Sequence, residues 1–499
     1  MREMTHDPIN RHQNTYSAPP AVVGCAGTGS GKTMAFYTPA ISYLASEVIK
    51  SPQPSRVRIL AIYPRTELLK DQFMETWQQC RKLDEKLQKE CDRKLRIGAF
   101  FGDTPNTFND IRLEPGQTYK KIAMLRCPEE GCQGEMRWRL TDIKAERERV
   151  SCHLCGHEIS GDEVMFTRQR MVDDPPDILF ITIEMLNQQL CNPKRQHLFA
   201  VGKSFSMPLV LLDEVHTYEG TQGAQTRYLL KRWMSLSKSQ PHFVGLSATL
   251  TDAETFFSDL TGTNPSRVRL IEPLPGEMIA KGAEYLLALR GDPVSETALL
   301  STTIQTAMLT RRILDNKEAN KSDGIWGNKT FIFSDTLDVA NRLYHQTNDA
   351  EGWKIRSNGE IVPKTKPVGP LAMYRNSNAV RANLLRKYGQ DWGITKKIGF
   401  ALDDEDCAKV RRTSSQDAGY SQDAEIIVTT ASLEVGFNDP DVGAIIQHKA
   451  PRGTASYLQR KGRAGRPREM RPWMIIILSE FGRDRVAYQQ YESLVDPKI

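Results

Sequence analysis

Short, unbroken aliphatic runs recur along this chain, each ending in polar or glycine-rich sequence, and they limit the fold more than any other feature. The first set is Ala21–Cys25, Ile59–Tyr63, Ile178–Thr182, Leu209–Leu212 and 243–246. A second set lies at 330–333, 425–428, 444–447 and Trp473–Leu478. A strand with one wet face alternates apolar and polar residues. These runs do not alternate, so both of their faces must be covered, as in a parallel sheet between helical layers. The segments between the runs supply helices. After Lys32, the residues Met34, Tyr37, Ile41, Leu44 and Val48 recur at helical spacing, with Pro39 placed to kink that helix.

The two sets imply two α/β domains, and 499 residues suffice for both cores. The turn-rich stretch Glu272-Pro273-Leu274-Pro275-Gly276 reads as the linker, giving domains at 1–272 and 273–499. Two stretches read as insertions. One, 103–176, holds paired cysteines; the other, 350–400, is polar and carries Pro363, Pro367 and Pro370.

No run approaches the roughly 18 to 20 apolar residues of a membrane span, and the N-terminal residues lack an apolar signal core. The nine cysteines are scattered apart from two close pairs, which argues for a reducing, intracellular setting rather than a disulfide framework. A net charge of +6 is compatible with nucleic acid without requiring it.

Stretch 21–33 reads as strand, glycine loop and helix start. Gly27, Thr28, Gly29, Ser30 and Gly31 let backbone N–H groups curl around phosphates, and the helix start adds its positive end. Lys32 reaches the β and γ phosphates of ATP, and the Thr33 hydroxyl holds Mg²⁺. Asp213 and Glu214 end another aliphatic strand. A carboxylate there can hold Mg²⁺, and its neighbour can polarise the attacking water, so Asp213 is assigned to the metal and Glu214 to the base.

The pairs Cys127/Cys132 and Cys152/Cys155 have zinc-ligand spacing and predict a closed Cys₄ site holding structural Zn²⁺. His153 and His157 are spare candidates. Between the pairs, Trp138 could stack a base or pack beneath the ribbon. The charged run 81–96 reads as a solvated helix face laced with opposite charges. Cys25, Cys80, Cys91, Cys191 and Cys407 read as buried or incidental.

Taken in order, these motifs resemble those of a superfamily 2 helicase of the DExH-box type, with Lhr-like and RecQ-like DNA helicases and some anti-phage defence helicases nearest in flavour. The resemblance rests on 26–33, Tyr63-Pro64-Arg65-Thr66-Glu67-Leu68, Gly102-Asp103-Thr104, 181–186, Asp213-Glu214-Val215-His216 and Ser247-Ala248-Thr249. It continues through 331–334, 429–436 and the arginine-rich run 459–466, covering roughly 21–480. It implies two tandem RecA-like domains, with the zinc ribbon inserted in the first, and ATP held where the domains meet.

The resemblance also implies roles. Gln459 sits near the γ phosphate and His216, and Arg463 and Arg466 serve as arginine fingers, worth roughly 10³ to 10⁵ in rate in such enzymes. His216, Ser247 and Thr249 couple hydrolysis to the nucleic-acid face. Arg65, Thr66, Thr182, Ser334 and Thr430 hold the phosphates of a single- or double-stranded nucleic acid, with DNA favoured. Gly436 and Asp439 contact nucleotide, although Asn438 competes with Asp439 because the motif departs from its usual Gly-Ile-Asp form; Gln13 is the off-register candidate for adenine reading. Between Arg460 and Arg471 stand six positive residues against Glu469 alone, a local basic patch. The reading is an ATP-dependent helicase or translocase. Its alternatives are an RNA remodeller or clamp, and a zinc-bearing scaffold in a larger protein complex.

Overall fold

The computed structural model describes residues 21–26, 32–53, 55–132, 134–247, 250, 252–274, 276, 284–291, 299–315, 322–357, 359–363, 407–413, 423–430, 439–451, 453–467 and 469–494, with backbone only at 32, 33, 67, 123, 454, 455, 493 and 494. The chain divides into two compact units between Glu277 and Met278. Among the described residues no helix is long and apolar enough to cross a membrane.

The first unit is built on an eight-stranded sheet. Its order is Val268–Ile271, Ala21–Cys25, His242–Ser247, Leu209–Leu212, Ile59–Tyr63, Ile178–Thr182, Ile97–Phe100 and Val164–Met165. Every pairing is parallel. The five aliphatic runs form its middle and are buried along their whole length. That is the burial expected of strands covered on both faces. The helix Lys32–Lys50 runs on through Pro39 without ending there.

A separate four-stranded antiparallel sheet, Tyr119–Arg126, Glu135–Arg139, Arg149–Cys152 and Glu158–Ser160, leaves and rejoins this unit. It fills only part of the 103–176 stretch, because Val164–Met165 already pairs with Ile97–Phe100 of the main sheet. Trp138 lies beneath it, 1% exposed. Its Nε1 donates to the Arg147 carbonyl at 2.9 Å, and its ring meets Phe108 and Phe166. Of the two roles open to Trp138, packing under the ribbon is the observed one.

The charged run 81–96 is solvated along its helix, where Lys89 meets Glu85 at 3.3 Å, but not beyond it. Asp84–Cys91 is a helix, but Arg93 and Arg96 are largely covered. Asp177, fully buried, takes Arg58 at 2.9 Å, Arg93, and the Arg96 backbone N–H at 3.0 Å. Arg96 also grips Asp174, and Lys94 meets Glu163 at 2.6 Å. The run is therefore half of an ion network that ties the strand Ile97–Phe100 to the segment before Ile178–Thr182.

The second unit carries six parallel strands: Tyr285–Arg290, Trp473–Leu478, Val442–His448, Lys329–Phe333, Ile426–Thr429 and Val410–Thr413. Alternate residues feed two apolar layers. Ile332 packs with Ile304, Met308 and Leu343 on one face, and Phe331 packs with Tyr457 and Met474 on the other. Arg312 and Glu351, 1% and 0% exposed, form a two-bond pair at 2.6 and 2.7 Å, and Glu351 also takes the Ala408 N–H at 2.9 Å. In the 350–400 stretch a hairpin of Trp353–Ile355 and Ile361–Pro363 is described; 364–406 lies outside the described residues.

Candidate functional site

Parallel strands end at one edge, and that edge collects the motif residues of the first unit. Cys25 is in register with Ser247, and Leu212 with Gly245, so Ala26 and Asp213 emerge on either side of the end of His242–Ser247. The carboxyl edge of an open parallel sheet is where such folds place ligands. The Ala26 N–H donates to the Ser247 carbonyl at 3.2 Å, which fixes the point where the glycine loop begins. Gly27, Thr28, Gly29, Ser30, Gly31, Thr249, Gly436, Asn438 and Gln13 lie outside the described residues, as do the side chains of Lys32 and Thr33. Lys32 and Thr33 open the helix Lys32–Lys50.

Asp213 is 8% exposed, and one of its oxygens accepts the Glu214 N–H at 2.8 Å. Glu214 holds a left-handed backbone, φ 46° and ψ 52°, at the head of the 3₁₀ turn Val215–Thr217. That conformation is costly for a residue with a Cβ and marks sites where geometry is over-determined. Thr217 holds the turn by donating from its N–H and hydroxyl to the Glu214 carbonyl, at 2.9 and 2.7 Å. Glu214 Oε2 is buried with no hydrogen bond among the described residues, 3.5 Å from His216 Nδ1. His216 Nδ1 in turn lies 3.0 Å from the Ser247 hydroxyl. Ser247 is fully buried; its carbonyl meets the loop start while its hydroxyl meets His216 of the acid turn.

Beneath this edge Tyr37 and Tyr63 share a hydroxyl contact, and burial pushes both phenols well above their usual range. Burial also raises Tyr218. These neutral hydroxyls add no charge near Asp213. Tyr63 and Tyr37 stand in the sequence as a motif residue and a helix-face residue, but their shared burial beneath Asp213 has no sequence pattern of its own.

The nucleic-acid candidates divide. Arg65 and Thr66 start the helix Thr66–Arg81 and are half-buried, and Thr430 follows the strand Ile426–Thr429, also half-buried. Thr182 instead caps the helix Ile183–Leu190, accepting the Met185 N–H at 3.4 Å. Ser334 is 1% exposed and donates to the Thr336 carbonyl at 3.3 Å, so here it holds its own turn.

In the second unit Gln459 is buried on the helix Thr454–Lys461, Arg463 is half-buried just beyond it, and Arg466 is exposed. Arg460 corrects the basic-patch reading. It is 2% exposed, meets Asp335 at 2.7 Å and Gln447 through its other nitrogen, and lies over Phe333. It braces the unit and does not join its charged surface. Asp439 is buried against Lys329 at 2.6 Å and accepts the Asp441 N–H at 2.8 Å, so its carboxylate is committed to the loop it sits in.

The four ribbon cysteines converge, with all ligand atoms within 4.8 Å of one another. Cys127 and Cys155 sulfurs lie 3.3 Å apart, and Cys132 and Cys152 sulfurs 3.7 Å apart. Tetrahedral Zn²⁺ with four thiolates sets sulfurs about 3.8 Å apart, so the cluster fits a metal. A Cβ on Gly134 would fall 2.2 Å from the Cys152 sulfur and 3.3 Å from that of Cys132, so the chain can pass there only as glycine. Burial pushes the Cys127 thiol up to about 12. Cys152 is drawn down to about 6: burial opposes ionisation, but the Cys155 and Leu154 backbone N–H groups outweigh it. His153 accepts the Glu135 N–H at 2.8 Å and His157 meets Glu129 at 2.7 Å, so neither spare histidine is a ligand. Cys25 and Cys80 are buried, Cys91 and Cys407 half-buried, and Cys191 exposed.

Comparison with known proteins agrees with this geometry. The DEAD/DEAH box helicase family matches residues 12–108 and 135–256, skipping part of the ribbon, and the helicase conserved C-terminal domain matches 378–468. The chain is 29% identical over 307 residues to the Lhr helicase/probable uracil glycosylase of Mycolicibacterium smegmatis, covering 61% of this chain and 18% of that protein. It is 25% identical over 305 residues to the Druantia protein DruE of Escherichia coli, covering 51% of this chain and 16% of that one. In structure it resembles the Mycobacterium smegmatis helicase Lhr bound to ssDNA and AMP-PNP, with TM-score 0.54 and 18% identity over 95% of this chain and 46% of that one. The chain thus spans less than a fifth of the length of these curated relatives.

Proposed function

Since this chain belongs to the DEAD/DEAH-box helicases of superfamily 2, we propose that it is an ATP-dependent helicase or translocase acting on nucleic acid, with DNA the favoured substrate. The observation that carries the reading is the linked set Ala26, Ser247, His216 and Glu214 at one strand edge. A loop start, an acid pair and a buried hydroxyl relay there have no use in a scaffold.

In this reading the glycine loop and Lys32 bind the phosphates of ATP, and Thr33 and Asp213 hold Mg²⁺, which neutralises charge on the phosphates when bound. Glu214 orients and polarises the water. Its buried, undonated Oε2 suits a proton acceptor, and His216 and Ser247 keep it aimed. Arg463 and Arg466 are the arginine-finger candidates, and Gln459 is the γ-phosphate sensor. Gly436 and Asp439 stay candidates for nucleotide contact, Asp439 only if Lys329 releases it. Arg65, Thr66 and Thr430 grip strand phosphates, which predicts sequence-tolerant, salt-sensitive binding. The cysteine cluster holds Zn²⁺ as a closed structural site with no catalytic position.

DNA is favoured because the similar Lhr protein is described with ssDNA. The Lhr and Druantia relatives support genome maintenance or anti-phage defence as the setting, within an intracellular, reducing compartment. Strand displacement on matched DNA and RNA duplexes tests the reading. Separation of DNA by the wild-type chain and none by Lys32→Ala is the expected result; an unchanged rate in Lys32→Ala contradicts it.

A further inference from the structure

We propose that the outer face of the ribbon is a second nucleic-acid site, one that takes the phosphodiester backbone of a single strand. It rests on the reading that this chain binds nucleic acid.

The strands of the ribbon sort their side chains by face, as pleating requires. Met136 pairs with Cys152, and Trp138 with Val150, all buried toward the body of the unit. Arg137 pairs with Ser151, and Arg139 with Tyr119, on the opposite face. That face opens on a cavity of about 480 Å³ whose lining includes Tyr119, Arg137, Arg139, Lys144 and His153, and no acidic residue.

The ribbon has nearly as many acids as bases in sequence, so a cationic cavity needs a cause. Part of the cause is that several of its acids are paired, although Glu158, opposite Ser151, stands on the same face and meets Arg149 at 3.6 Å. Asp142 takes Arg147 and Arg149 at 3.2 and 3.1 Å, Glu148 takes the Thr167 hydroxyl at 2.7 Å, and Glu129 takes His157. Glu135 meets Lys121 and only grazes Arg137 at 3.5 Å. Arg139 and Lys144 are exposed and have no ion pair among the described residues.

Two further features suit a strand better than a simple anion. The Arg137 guanidinium lies over the Tyr119 ring, 4.1 Å from its centroid, a cation–π pair whose aromatic and guanidinium faces are the groups that stack bases. His153 Nδ1 accepts the Glu135 N–H, which leaves the proton of the neutral ring on Nε2, a donor for a phosphate oxygen. Cations for phosphates beside a stacking platform are the components of sequence-tolerant single-strand binding.

The test uses the full chain, zinc-loaded, and a fluorescent oligo-dT probe titrated across a salt series. Arg139→Gln with Lys144→Gln is expected to weaken binding roughly tenfold and to shallow the log K against log salt slope by about 1.4, at ~0.7 per lost phosphate contact. Arg139→Lys with Lys144→Arg is expected to bind as wild type. Zinc content and thermal midpoint report whether each variant is folded. A neutral variant that is folded and binds with wild-type affinity and slope overturns the proposal. So does an equal loss in the charge-preserving variant, or a wild-type preference for poly-glutamate over the oligonucleotide. If the wild-type chain binds no oligonucleotide at all, the parent reading fails, an outcome distinct from a ribbon-only failure.

Discussion

His216 Nδ1 lies 3.0 Å from the hydroxyl of Ser247, and the carbonyl of the same serine accepts the N–H of Ala26. One buried residue therefore touches both the acid turn and the start of the phosphate loop. Its proposed coupling role would rest on this contiguity.

Ser247→Ala removes the hydroxyl and keeps the backbone bond. The expected outcome is ATP hydrolysis within a few-fold of wild type with strand displacement lost by roughly tenfold or more, about 1.4 kcal/mol of coupling. Parallel phosphate-release and displacement assays check it. An equal drop in both contradicts a coupling role.

Cys152→Ser removes one of four converging sulfurs. Zinc binding at such a site is folding energy for the segment around it. Elemental analysis is expected to find one zinc per wild-type chain and none in the variant. Trp138, packed beneath the ribbon, should then show red-shifted emission as its cover loosens.

Glu351→Ala leaves the Arg312 guanidinium buried without its carboxylate and frees the Ala408 N–H. Breaking one side of a buried pair costs roughly 3 to 5 kcal/mol. Chemical denaturation of the second unit should show a loss of that size, and a loss below about 1 kcal/mol contradicts the burial argument.

His448 ends the strand Val442–His448 with Nδ1 2.7 Å from the Thr303 hydroxyl. Burial, and then the neighbouring Lys449, push its pKa from 6.5 down to about 4. Below 6.5 the unfolded chain binds a proton that the folded ring refuses, so stability falls as pH drops from about 6.5 to about 4. The loss is on the order of 3 kcal/mol. Urea midpoints across that window should fall in wild type and flatten in His448→Gln.

The two-domain parallel architecture was legible because strands covered on both faces are written as continuous aliphatic runs. The strands the runs did not reveal have physical reasons for their silence. Val268–Ile271, Tyr285–Arg290 and Val410–Thr413 are edge strands, half-exposed and carrying Arg269, Arg290, Arg411 and Arg412. Ile97–Phe100 is short and interrupted by Gly98, where a Cβ would meet the Met171 sulfur at 2.6 Å. The cysteine cluster was legible from spacing alone. The burial of Arg460, Ser334 and Asp439 was not, since a motif records which residue is present but not which of its neighbours claims it. For the same reason the covering of 93–96 was hidden within a run whose helix is solvated: their partners Glu163, Asp174 and Asp177 lie far along the chain.

The most direct test of the whole account is phosphate release from ATP by wild type and Glu214→Gln, with and without single-stranded nucleic acid. The account predicts stimulation of wild type by the strand, and a fall of roughly 10² or more in the variant at unchanged fold and ATP affinity. Wild-type turnover in Glu214→Gln, or no hydrolysis by the wild-type chain under any condition, would contradict it.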